Sequence, residues 1–127
     1  MRRLLLLVSA TVLLESTFFA VLAPLLPHYK EEFGLSASAL GALSAVYAAG
    51  GLAGAVPSGL LAVRVGVRPT VLGGLAIIVV TSVAFGFAES AWVLYAARFG
   101  QGVGSALAWT GGLAWLVAAA PSGRRGE

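Results

Sequence analysis

Two ionisable side chains, Glu15 and Arg98, sit inside stretches that are otherwise long and uncharged. Charges in an apolar span are costly unless paired or hydrated, so they mark candidate sites. A buried carboxylate offers proton exchange as its chemistry. Desolvation favours its neutral form and a nearby cation favours its charged form. Held between those pulls, it can trade a proton for a cationic solute. Glu15 is therefore the candidate proton or cation site. Thr11, Phe18, Phe19 and Leu22 share its helix face and outline a small mixed pocket. Arg98 opens a series with Gln101, Ser105 and Trp109, spaced i, i+3, i+7 and i+11, which falls on one face. Arg98 and Gln101 are the candidate tuning and coupling groups. Plainer readings stand beside these: a structural hydrogen bond from Glu15 to a neighbouring helix, and snorkelling of Arg98 to the nearer interface.

Membrane-length elements must position these groups. Of the 127 residues, 59% are hydrophobic and 10% charged, against about 25% charged in an ordinary globular domain. Residues 33–63, 69–88 and 99–123 carry no charge, and residues 4–26 carry only Glu15. About 20 apolar residues cross the hydrocarbon core as a helix. Four such segments fit, at about 4–26, 36–61, 69–88 and 91–120. Barrel strands are excluded because the alternation they need is missing. The sequence thus predicts an all-α membrane protein with four transmembrane helices. Helix 1 is expected to end in Pro24-Leu-Leu-Pro27, with His28–Phe33 as the first outer loop, and Ser36 to cap helix 2. Pro69 suits the first turn of helix 3, and Glu89-Ser90 forms a very short outer turn.

Small residues recur at helical spacing. Gly50, Gly54 and Ser58 form one groove, and Gly100, Gly104, Ala108 and Gly112 form another, with Gly102 between. Their plain reading is close helix packing. Between helices 2 and 3 runs Gly59-Leu-Leu-Ala-Val-Arg-Val-Gly-Val-Arg68, a short basic hinge. Arg2, Arg3, Arg64, Arg68, Arg124 and Arg125 fall on one side if the helices alternate, and Lys30, Glu31, Glu32 and Glu89 on the other. The positive-inside bias then places both termini in the cytoplasm and the chain in the cell (inner) membrane. Trp92, Tyr95 and Tyr29 read as an outer aromatic belt.

Several classes fall away. The net charge of +3 does not imply nucleic-acid binding, because the arginines punctuate helices instead of forming a patch. Cysteine and aspartate are absent, which removes thiol chemistry and aspartate-based triads. His28 is expected in a loop. The glycines near 100–104 follow no soluble strand, so they do not read as a nucleotide loop. No enzyme activity, cofactor or metal is expected. Met1-Arg-Arg followed by leucines looks like a signal peptide, but Glu15 interrupts its apolar region.

The motifs resemble those of the major facilitator superfamily of secondary transporters. Its signature between helices 2 and 3 is roughly Gly-x-x-x-Asp-Arg/Lys-x-Gly-x-Arg/Lys-Arg/Lys. Gly59, Arg64, Gly66 and Arg68 match it, Val63 replaces the acid, and Pro69 replaces the last basic residue. The helix 4 signature, roughly Arg-x-x-Gln-Gly-x-Gly, is matched by Arg98, Gln101, Gly102 and Gly104. Glu15, Pro24 and Pro27 are similar to the acid-x8-Pro-x2-Pro pattern of drug and amine proton antiporters in that superfamily. Pro121-Ser-Gly-Arg-Arg-Gly126 looks like the start of its helix 4–5 loop.

The resemblance implies part of the N-terminal six-helix half of a longer transporter. It implies a small-molecule substrate at the midplane and alternating access by rocking halves. The partners implied are the lipid bilayer, protons and the remaining C-terminal helices of the same transporter. Transport by the 127 residues alone is not expected. The helix 2–3 loop would be an inner gate latch, weakened here by Val63. Two other readings stay open: a four-helix, dimeric small multidrug-resistance-type antiporter, and a membrane scaffold that transports nothing.

Overall fold

The computed structural model describes residues 2–120, apart from the Phe18 side chain. The Phe18 part of the Glu15 pocket and the Pro121–Gly126 loop with Arg124 and Arg125 thus lie outside the described residues. Four helices follow one another: α1 Arg2–Phe33, α2 Ala37–Arg64, α3 Val67–Gly86 and α4 Ala91–Ala119. All four are long and apolar enough to cross a membrane, and no strand occurs among the described residues.

α1 does not stop at its prolines. Pro24 and Pro27 lie inside the helix, which continues through the expected outer loop to Phe33. Each proline removes one backbone donor, a loss that membrane helices tolerate. Beyond them, His28 and Glu32 pair at 2.9 Å across one turn. Gly34, at φ 61, then turns the chain out of the helix. Ser36 caps α2 by accepting from the Ala39 N–H at 3.2 Å.

The basic hinge is shorter than its motif. α2 runs through Gly59 to Arg64, because Leu60-Leu61-Ala62-Val63 favour helix and Gly59 makes no conformational demand. Gly66 makes the turn, at φ 96, where a side chain would be strained. Arg68 and Pro69 already belong to the first turn of α3. That helix ends at Gly86, and Phe87–Ser90 form the turn into α4.

α4 is the central helix. A Cβ on Gly50 would run into the Phe99 carbonyl oxygen, and one on Gly102 into that of Tyr47. Both mark where the α2 and α4 backbones touch. Gly104 lies about 200° around α4 from Gly102, and there the partner is α3. A Cβ on Gly104 would stand 2.8 Å from the Gly74 oxygen, and one on Gly74 stands 2.6 Å from that of Gly104. Gly100 meets Thr81 of α3, and Gly54 meets Val103 and Ala106 of α4. Lipid tails are as apolar as leucine, so hydrophobicity does not drive this association. Close van der Waals packing and interhelical hydrogen bonds do. Leu43 and Leu94 are completely enclosed, as is Ser58, whose hydroxyl donates to the Ala55 carbonyl at 2.7 Å and pairs with the Thr110 hydroxyl at 3.0 Å. α1 packs more loosely, and leaves Leu5, Leu6, Leu7, Leu13 and Leu14 exposed.

Candidate functional site

Polar side chains from all four helices converge inside the bundle. Glu15 of α1 is 7% exposed, Arg98 of α4 2% and Gln101 6%. The Tyr47 hydroxyl of α2 donates to Glu15 Oε1 over a long 3.3 Å. Arg98 Nη1 donates to Gln101 Oε1 at 2.8 Å, one turn along the same helix. Gln101 Nε2 in turn donates to Ser82 Oγ of α3 at 3.2 Å. The Arg98 guanidinium carbon stands 4.8 Å from the Tyr47 ring centre and 5.8 Å from that of Phe19. Both are within the range of a cation–π attraction.

Arg98 therefore does not snorkel. Its charge is turned inward, toward rings and an amide. The site brings Glu15, Arg98 and Gln101 together, yet the two charges do not meet: no Arg98 nitrogen approaches a Glu15 oxygen within 4.0 Å. Glu15 Oε2, Arg98 Nε and Arg98 Nη2 are buried without a hydrogen-bond partner. A cavity of about 10 Å³ lies between Glu15, Tyr47, Ile78, Arg98 and Gln101.

A second cavity, of about 340 Å³, opens between α1, α3 and α4. Glu15 borders this one too, with Thr11, Leu75, Trp109 and Trp115 among the other walls and Arg68 also lining it. Its size falls in the usual range for small-ligand sites. The polar stripe of α4 accordingly divides. Arg98 and Gln101 are buried in the cluster, Ser105 is half-buried, and Trp109 faces the larger cavity. Of the expected Glu15 pocket, Leu22 is buried and Phe19 packs its ring 5.5 Å from Tyr47. Thr11 returns its hydroxyl to Leu7 of its own helix.

Sequence reasoning missed Tyr47 and Ser82. The available signal was a tyrosine inside an apolar span, whose hydroxyl needs a partner once buried. The aromatic belt is also more than anchoring. Tyr95 donates to the Ala39 carbonyl of α2 at 2.8 Å, and Tyr29 meets Phe85 edge-on at 5.3 Å. Trp92 remains 84% exposed.

The hinge residues stay apart from the cluster. Gly59 faces open space, Arg64 and Arg68 are exposed, and Val63 is 87% exposed. No carboxylate occupies the position where the signature has one.

Curated transporters resemble this chain over most of its length. The chain is 36% identical over 124 residues to a probable vesicular acetylcholine transporter-B of Danio rerio, covering 91% of this chain and 25% of that protein. It is 32% identical over 104 residues to the MFS-type transporter ppzB of Metarhizium rileyi, covering 78% of this chain and 22% of that one. The chain thus spans about a quarter of the length of these curated relatives. No solved structure matches it. The profile of the Major Facilitator Superfamily matches residues 8–127, and this multi-pass membrane chain belongs to that family of transporters.

Proposed function

We propose that this chain serves proton-coupled, efflux-type transport of a lipophilic cation, with Glu15 as the coupling carboxylate. One observation carries the reading: Glu15 is buried halfway along α1 and borders both cavities, so the same carboxyl faces Arg98 and the apolar space. An ionised Glu15 attracts a cation into walls that include Trp109 and Trp115, whose ring faces also favour positive charge. A protonated Glu15 releases it. Proton and solute then compete for one group, which is the basis of exchange. A relative named for acetylcholine, a quaternary ammonium, is in keeping with this choice of charge.

Arg98 and Gln101 tune the site in this reading. The basic end of the molecule, with Arg64 and Arg68, faces the cytoplasm, and the Gly59–Arg68 hinge lies at the inner gate without the acid that would latch it. Transport requires the further helices that chains as long as the curated relatives supply.

The test uses the full-length chain in proteoliposomes, with tetraphenylphosphonium as the cation and an imposed pH gradient. Glu15→Gln, a permanent mimic of the protonated carboxyl, is expected to reduce both gradient-driven accumulation and cation–cation counterflow to background. Accumulation driven by the gradient as well as in the native protein would overturn the assignment.

A further inference from the structure

We propose that the four-helix cluster contains a built-in site for one water molecule, bridging Glu15 to Arg98, with Tyr47 as the positioning residue that keeps the two charges from closing into an ion pair. The site deepens the role given to Glu15 above, but it rests on the geometry of the cluster alone.

Three buried polar atoms need partners: Glu15 Oε2, Arg98 Nε and Arg98 Nη2. They belong to side chains more than nine-tenths buried. Leaving such groups unpaired costs heavily in a low-dielectric interior. Both residues line the cavity of about 10 Å³, which matches the roughly 10–15 Å³ that one water requires. A buried water also needs 2–4 polar partners. Here it can donate to the carboxylate oxygen and accept from the guanidinium. Ile78 supplies the apolar wall, and the space is that of a single water.

Tyr47 explains why the charges stay apart. Its ring lies against the guanidinium, and its hydroxyl engages the nearer carboxylate oxygen. In this proposal the ring contact to Arg98 and the hydroxyl bond to Glu15 hold the two charged groups in their separate positions. A bridging water lets the two charges sense one another without a contact that must break whenever Glu15 gains a proton. The water serves as a hydrogen-bonded spacer, and no bond is made or broken in this role.

Two measurements on the full-length native chain test this. The first is a high-resolution density map in lipid nanodiscs. The expected result is one ordered peak within hydrogen-bond distance of Glu15 Oε2 and an Arg98 nitrogen. A direct Glu15–Arg98 contact, or a resolved cluster with no peak, would overturn the proposal. The second is infrared difference spectroscopy in ordinary and oxygen-18 water. An isotope-shifted internal water band is expected in the native protein. It should disappear in Ile78→Phe, which fills the cavity, and shift in Tyr47→Phe, which keeps the ring but removes the hydroxyl. A band unchanged in both folded variants would overturn the assignment. If Ile78→Phe does not fold, Tyr47→Phe and the native map still decide. The two proposals fail separately: loss of the water with coupling intact removes only this inference, and coupling retained in Glu15→Gln removes only the function above.

Discussion

At the scale of single residues, the molecule depends on where a Cβ does not fit. Gly50 and Gly41 lie in the same helix with opposite surroundings. A methyl on Gly50 meets the Phe99 backbone, whereas one on Gly41 meets nothing within 4 Å. Backbone cannot rotate away as a flexible side chain can, so α2 and α4 must separate. Gly50→Ala is expected to destabilise the folded protein by about 1–3 kcal/mol, the usual range for overpacking. Gly41→Ala is expected to be neutral or to stabilise by up to about 1 kcal/mol through helix propensity. Thermal melting of the two variants in the same detergent checks the pair, and equal melting temperatures would refute the contact. Glu15, Arg98 and Gln101 were legible in the sequence because charge and amide stand out in apolar spans. Tyr47 was not, since a tyrosine in such a span also reads as packing or anchoring. Its role comes from 32 residues of sequence separation to Glu15, which no local spacing encodes.

At the scale of elements, hydropathy shows that spans exist but not where they end. Four apolar runs, two of them holding a single charge, correspond to the four helices. The end of α1 was misplaced because proline is a strong stop signal in water and a weaker one in a bilayer helix. The loop motif was legible as a hinge but not in its detail, because both of its glycines look alike in sequence. Only Gly66 has the positive φ that a side chain resists, and Gly59 is an ordinary helical residue in open space. The two substitutions therefore separate. Gly66→Ala is expected to cost about 1–3 kcal/mol, the penalty for a side chain in a backbone region that glycine alone adopts. Gly59→Ala is expected to be tolerated and to raise helix propensity. Denaturation midpoints of both variants measure this. A larger loss for Gly59→Ala would show that the turn lies elsewhere.

At the scale of the whole molecule, contacts define two ends. Tyr95 reaches Ala39 and Tyr29 meets Phe85 at one end. Gly111 faces Val67 and Val71, and Gly112 faces Val8, toward the other. Lys30, Glu31, Glu32 and Glu89 belong to the first end, while Arg2, Arg3, Arg64 and Arg68 belong to the second. Such asymmetry biases orientation during insertion, with an arginine-rich end favouring the cytoplasmic side. Residues 1–127 hold no cysteine, so a cysteine introduced among them is a new and unique label within this segment. Ser90 and Val63 are exposed, at opposite ends, and neither carries a charge whose loss would alter the bias. Ser90→Cys is expected to react with an impermeant maleimide added to intact cells. Val63→Cys is expected to react only after the membrane is opened. The reverse pattern would invert the molecule and move the Arg64–Arg68 hinge to the outside. Glu15 would keep its place inside the bundle either way, so the orientation and the coupling role stand on separate observations.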